Sequence, residues 1–274
     1  MRFLQKCIRR AGIPIRYSDG VTPRMIMSTA MPLGLGHESS GEYVDMELAS
    51  RVTTRQALEK LRPLMPEGLE ILDFRQLGDP VPAGGGGEGK KKPQKAMSIV
   101  AAAEYEVRFR GTYRRSGLLP PDWRQILRDF VAQDTIPWTK ETKRGFRTLD
   151  MKPLIYGIYI EDGVPDPENT VAAGCKTLDG RSAEGAVSGR RKELYRTHSC
   201  SSPCAPLFFE AVSGRQKELY GTASGEKDPR IFMCVCSRVG ENLRPEQLIG
   251  EAFRRKGYEL PEDALRIFRL DLLA

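Results

Sequence analysis

The residues of this chain best suited to grip a soft metal are Cys200 and Cys204, in the run Cys200-Ser201-Ser202-Pro203-Cys204, with His198 and Cys175 as further donors. A structural zinc site needs a second paired motif at matching spacing, and none follows, so no bound metal is expected. Cys234 and Cys236 alternate within an apolar run and read as small buried hydrophobes on one strand face. A second chemistry is offered by Glu42-Tyr43-Val44-Asp45-Met46-Glu47, where strand alternation places Tyr43, Asp45 and Glu47 on one face and Val44, Met46 and Leu48 on the other. Paired carboxylates of this kind serve acid–base catalysis, with Asp45 as the candidate and His37 the only histidine nearby; an exposed sheet face gives the same pattern. A third is anion binding. Arg9, Arg10, Arg16 and Arg24 surround the loop Tyr17-Ser18-Asp19-Gly20-Val21-Thr22-Pro23, whose Gly and Pro punctuate a turn and whose Tyr17 offers a face on which a base can stack. The alternative for that loop is a plain turn with Tyr17 in the core and Gly20 at positive φ. Gly84 to Gly87 do not lie between a strand and a helix, so they make no nucleotide loop.

These groups need elements to hold them. Phe3, Leu4, Cys7, Ile8 and Ala11 form one helical stripe closed by Gly12, with Arg9 and Arg10 off the stripe. Ile13 to Tyr17, Met25 to Leu33 and Glu42 to Leu48 read as extended, and Thr53-Thr54-Arg55-Gln56 is a capping box opening a helix that runs toward Gly68. Leu69 to Phe74 returns as a strand. The order helix, strand, strand, helix, strand is a ferredoxin-like βαββαβ unit without its opening strand, a gap that would leave neighbouring strands unpaired. Further on, Tyr105, Val107 and Phe109 mark a half-buried strand, and Asp122 is placed to cap a helix carrying Trp123, Ile126, Leu127, Phe130 and Val131. Segments 135–138 and 146–151 suit a hairpin, 154–160 and 231–236 suit apolar strands, Pro245 opens a second helix, and 265–272 closes the set.

The expected fold class is therefore α+β with two ferredoxin-like halves: residues 1–77, a Gly/Lys/Pro-rich linker at 78–95, and residues 96–274 with an insertion at 163–229. The insertion repeats Ala186–Tyr195 as Ala211–Tyr220 at a period of 25 residues, with Arg191 replaced by Gln216. Two copies are too few for a solenoid, so it reads as a duplicated surface insertion dispensable to the core. It carries nine basic and nine acidic side chains, so the net charge of +7 belongs to the rest of the 274-residue chain. That excess favours an anionic partner such as RNA. No apolar run approaches the ~20 residues that span a bilayer, no signal-peptide core opens the chain, and the six cysteines are too sparse for a secreted scaffold. A soluble cytoplasmic protein with no membrane partner is expected.

The segments Arg9-Arg10-Ala11-Gly12-Ile13-Pro14, Tyr17-Ser18-Asp19-Gly20, Pro32-Leu33-Gly34 and Glu42-Tyr43-Val44-Asp45-Met46-Glu47-Leu48 resemble those of an uncharacterised radical-SAM-associated family, a domain of unknown function found alone or fused behind a cobalamin-binding radical SAM protein. Asp19 and Val21 stand where that family usually has Gln and Phe. The resemblance covers about residues 1–162 and 230–274, and implies a cobalamin-binding radical SAM protein as partner. It also implies a strand and a His-Leu-Asp-Leu-Met-Arg segment at the start, of which Met1-Arg2 match the last two residues. The chain lacks the Cys-x3-Cys-x2-Cys run of radical SAM enzymes, so it is expected to be a non-catalytic accessory without a cofactor of its own. RNA binding is assigned to Arg9, Arg10, Arg16, Tyr17, Ser18, Gly20, Pro23 and Arg24. The alternatives are an enzyme acting on RNA through Asp45 and a pure protein–protein adaptor.

Overall fold

The computed structural model describes residues 1–76, 95–142, 145–161, 170–171, 207–212 and 229–273. Helix α1 (Arg2–Arg10) buries Leu4, Cys7 and Ile8 but leaves Phe3 exposed, so its apolar stripe is narrower than the spacing predicts. It ends in a Schellman closure: the Gly12 N–H donates to the Arg9 carbonyl (3.2 Å), the Ile13 N–H to the Ile8 carbonyl (3.2 Å), and Gly12 takes a φ of 61°. Strands β1 (Met27–Thr29), β2 (Glu38–Ser39) and β3 (Glu42–Met46) follow. The expected strand 25–33 is thus only three residues long, with an isolated bridge at Met25.

Thr53 caps α2 (Thr54–Leu61) through the expected capping box, its hydroxyl accepting from the Gln56 N–H while the Gln56 side chain accepts from the Thr53 N–H. Pro63 stops the α-helix early; residues 62–64 tighten into a 3-10 turn, so Leu64 and Met65 lie beyond α2. β4 (Glu70–Gln76) completes the N-terminal elements. The expected linker falls mostly outside the described residues, but its end starts an unforeseen short helix, α3 (Ala96–Ile99).

The C-terminal part contains β5 (Ala102–Phe109), α4 (Gly111–Arg115), α5 (Trp123–Ala132), the hairpin β6 (Pro137–Thr142) and β7 (Gly145–Asp150), then β8 (Ile155–Glu161) and β9 (Thr170–Val171). After β10 (Leu207–Val212) come β11 (Arg230–Arg238), β12 (Glu241–Asn242), α6 (Pro245–Arg254) and β13 (Leu265–Leu273). Asp122 sits at the N-cap of α5 but makes no side-chain cap bond. Phe109 packs edge-on against Trp123 (ring centroids 5.0 Å apart) and stacks on Phe253 (6.0 Å), clasping α5 and α6 to the sheet.

With 29% helix and 35% strand among the described residues, in largely antiparallel sheets, the fold is α+β. The larger sheet runs β2-β13-β5-β11-β8-β9, with β12 on β11; each of its inner strands β13-β5-β11-β8 is antiparallel to its neighbours in that order. In chain order β5, α5, β8, β11, α6, β13, this is a βαββαβ unit with strand order fourth-first-third-second. The smaller sheet runs β1-β3-β10-β4. Separate clusters of buried side chains underlie the two sheets, one including Ile8, Val44, Leu61 and Phe74 and the other including Val107, Trp123, Ile231 and Phe253.

β10 overturns two expectations. It lies within the insertion yet occupies the centre of the smaller sheet, antiparallel to β3 and β4, with Phe209 opposite both Val44 and Phe74. The insertion is therefore not merely a surface addition, and the facing edges of β3 and β4 are paired. The repeat itself and the motif Cys200–Cys204, with His198 and Cys175, lie outside the described residues apart from Ala211 and Val212. Among the described residues no helix is long and apolar enough to cross a membrane.

Candidate nucleic-acid interface

Eight residues were expected to bind RNA, and the structure sorts them by accessibility. Arg9 and Arg10 occupy the last turn of α1 and are exposed, as expected from their positions off the apolar stripe. There their charge complements the partial negative charge at the helix end. Nothing on the helix opposes it, because α1 carries no acidic residue and its Arg2 and Lys6 are exposed as well.

Downstream of α1 the chain folds into a small hairpin. Tyr17 bridges Met25, the Ile26 N–H donates to the Arg16 carbonyl (2.9 Å), and the Ser18 N–H donates to the Arg24 carbonyl (2.8 Å). The Ser18 hydroxyl accepts from the Arg24 N–H (3.0 Å), so Ser18 pins both ends of the loop. Gly20 takes a φ of 116° at the tip, a conformation that side-chain-bearing residues rarely adopt, and Val21 and Pro23 are exposed beside it. Tyr17 is 41% exposed, which rules out the core reading of this side chain.

Arg16 differs from the rest. Its guanidinium pairs with the Glu47 carboxylate at 3.4 Å and is half-buried, so it braces the hairpin against the end of β3. No ion pair joins Arg9, Arg10 or Arg24 to another described residue, and among the eight expected residues those three are exposed cations. Arg108 and Arg110, at the end of β5, are engaged differently: Arg108 pairs with Glu106 (2.6 Å) and Arg110 donates to the Leu265 carbonyl (3.1 Å).

Asp45 is not on an exposed sheet face. It is 4% exposed; its Oδ2 accepts from the Ala96 N–H at the start of α3 (2.6 Å), and its Oδ1 is buried with no hydrogen-bond partner among the described residues. Burial pushes its carboxyl up to about 6, against the opposing pull of the Ala96 N–H and the Lys95 charge. Tyr43, on the same strand face, donates its hydroxyl to Asp271 of β13 (2.8 Å), so this part of the sheet faces the C-terminal elements.

That hydrogen bond belongs to a polar joint the sequence reasoning missed. Arg269 of β13, 1% exposed, donates to the Glu42 carboxylate (2.8 Å) and to the Met31 carbonyl (2.9 Å). The Ser40 hydroxyl donates to the Leu270 carbonyl (2.8 Å), and Gly41 lies so close to β13 that a Cβ there would fall 2.9 Å from the Asp271 Cα. His37 Nε2 lies 3.9 Å from Glu246, its pKa lowered mainly by burial and partly restored by that carboxylate. One signal was legible: Arg269 shares the inward phase of Leu265 and Ile267, a charge where the alternation calls for an apolar side chain. A concavity of about 600 Å³ on α2, lined by Thr54, Arg55, Leu58, Glu59, Arg62 and Pro63, includes none of the expected residues.

A family model described as an uncharacterised protein conserved in bacteria (DUF2344) matches residues 1–184, which include α1, the hairpin, β3 and the chain as far as β9. No curated protein and no solved structure matches.

Proposed function

The chain belongs to this bacterial family, and we propose that it works there as a non-catalytic accessory of a cobalamin-dependent radical SAM system, binding RNA through the end of α1 and the 17–25 hairpin. One observation carries the RNA reading: Arg9, Arg10 and Arg24 are exposed without an ion-pair partner among the described residues, next in sequence to an exposed Tyr17 on a loop pinned by Ser18. Cationic side chains neutralise phosphate while an open aromatic face stacks an unpaired base. The radical SAM partner and the cytoplasmic setting rest on the sequence resemblance. The order β13-β5-β11-β8 and the slot order β1-β3-β10-β4 support two ferredoxin-like halves, divided at the linker 78–95. Burial of Asp45 against Ala96 speaks against its use as the catalytic carboxylate of an RNA-modifying enzyme.

The test is binding of transfer- and ribosomal-RNA fragments at several salt concentrations, comparing the wild type with Arg9→Ala plus Arg10→Ala. The double variant is expected to bind more weakly, with the salt slope reduced by about one unit for each phosphate no longer neutralised. Unchanged affinity and slope would reject this surface. Absence of binding by the wild type at low salt would instead favour the protein–protein adaptor.

A further inference from the structure

The crossover through α2 brings β4 back parallel to β3 but not beside it, leaving a gap one strand wide. Both edges facing that gap carry backbone N–H and carbonyl groups that a third, antiparallel strand can satisfy. The walls are apolar: Val44 and Met46 on one side and Ile71 and Phe74 on the other are all buried in one cluster. No neighbour in sequence fills the gap. β10 does, reached from β9 through residues 172–206 and left through 213–228.

Its sequence suits the place. Leu207 stands opposite Met46, Phe209 opposite Val44 and Phe74, and Ala211 opposite Ile71, so alternate positions are in register with apolar residues of β3 and β4. The duplication distinguishes this strand from its counterpart. Leu207-Phe208-Phe209-Glu210 precede the second repeat copy, whereas Ser182-Ala183-Glu184-Gly185 precede the first, and only the former has the apolar, β-prone composition of a strand.

We propose that the gap between β3 and β4 is a binding site for an extended polypeptide strand, and that Leu207–Val212 is its tethered ligand. Recognition is by strand addition: main-chain hydrogen bonds to two edges supply affinity, and the apolar rows select the alternating side chains. A covalent connection raises the local concentration of a strand, and the site accepts the same sequence from a separate molecule. Occupancy also reaches the basic hairpin, because residues at the end of β3 hold it: the Arg16 N–H donates to the Glu47 carbonyl (2.7 Å) and the Glu47 N–H to the Ile26 carbonyl (3.0 Å).

Two measurements test this. In the full chain, Val44→Cys plus Phe209→Cys is oxidised and mapped by mass spectrometry; an intramolecular 44–209 disulfide is expected, well above that of Val44→Cys plus Val212→Cys. In a second protein, residues 207–212 are replaced by Gly and Ser, and a labelled peptide of residues 205–214 is added, during refolding if the variant does not fold alone. One-to-one saturable binding is expected, with amide-exchange protection recovered in β3 and β4, and at least tenfold weaker binding to the full chain, whose site is filled. A peptide with Phe209→Pro should fail, since it cannot donate to the ladder at the central position. The proposal is overturned if the 44–209 disulfide is absent, if replacing 207–212 leaves protection of β3 and β4 unchanged, or if the full chain binds the peptide as well as the variant does.

Discussion

Asp45 concentrates the electrostatic cost of the N-terminal sheet in one side chain. A carboxyl raised from 3.8 to about 6 binds its proton more tightly in the folded than in the unfolded chain. The folded state therefore holds the extra proton between those values, and stability falls as pH rises through that window. At 1.36 kcal/mol per unit, the ionised form costs about 3 kcal/mol at neutral pH. Asp45→Asn is expected to remove most of this dependence: thermal midpoints at pH 5 and pH 8 should lie closer together than in the wild type, with the gain appearing at pH 8. The full cost is not recovered, because the amide places an N–H2 group where Oδ1 already lacks a partner among the described residues. A wild type whose midpoint rose from pH 5 to pH 8, with the variant unchanged, would contradict the burial of this carboxyl.

Among the elements, those set by local spacing were legible in the sequence and those set by distant pairing were not. The capping box at Thr53 and Gln56, the stop at Gly12, the first-turn Pro245 and the hairpin at 137–150 each follow from a few adjacent residues. Gly12 shows how strong such a signal is. With φ at 61° and two closing hydrogen bonds, Gly12→Ala is expected to cost about 1–2 kcal/mol, read as a lower denaturant midpoint with unchanged slope. By contrast, nothing within Leu207–Val212 says which edges it will join, because β3 and β4 are more than a hundred residues earlier in the chain. Residues 38–39 were equally opaque, since a two-residue parallel pairing with Phe268 and Arg269 has no period to detect. At the candidate site, the exposure of Arg9 and Arg10 followed from helix phase. The burial of Asp45 did not, because alternation says that a strand has two faces but not that both are covered.

Considered as a whole, the molecule ties its two sheets together through a buried charge pair. Arg269 on β13 is almost wholly enclosed, and the Glu42 carboxylate at the start of β3 neutralises it across 227 positions of sequence. Tyr105 of β5 lies against the same guanidinium, its phenol pushed up chiefly by burial and pulled back by Arg269. Such a pair contributes little when replaced as a unit, yet breaking it leaves an uncompensated charge in the interior. Glu42→Ala is therefore expected to lower the unfolding free energy by about 3–5 kcal/mol, whereas Glu42→Leu plus Arg269→Met should lose clearly less. The joint also predicts the shape of unfolding. If the pair couples the two cores, Glu42→Ala should split a single calorimetric transition into two, one for the cluster around Ile8 and Phe74 and one for that around Trp123 and Phe253. A single transition of undiminished stability in Glu42→Ala would mean that the halves are held by other contacts.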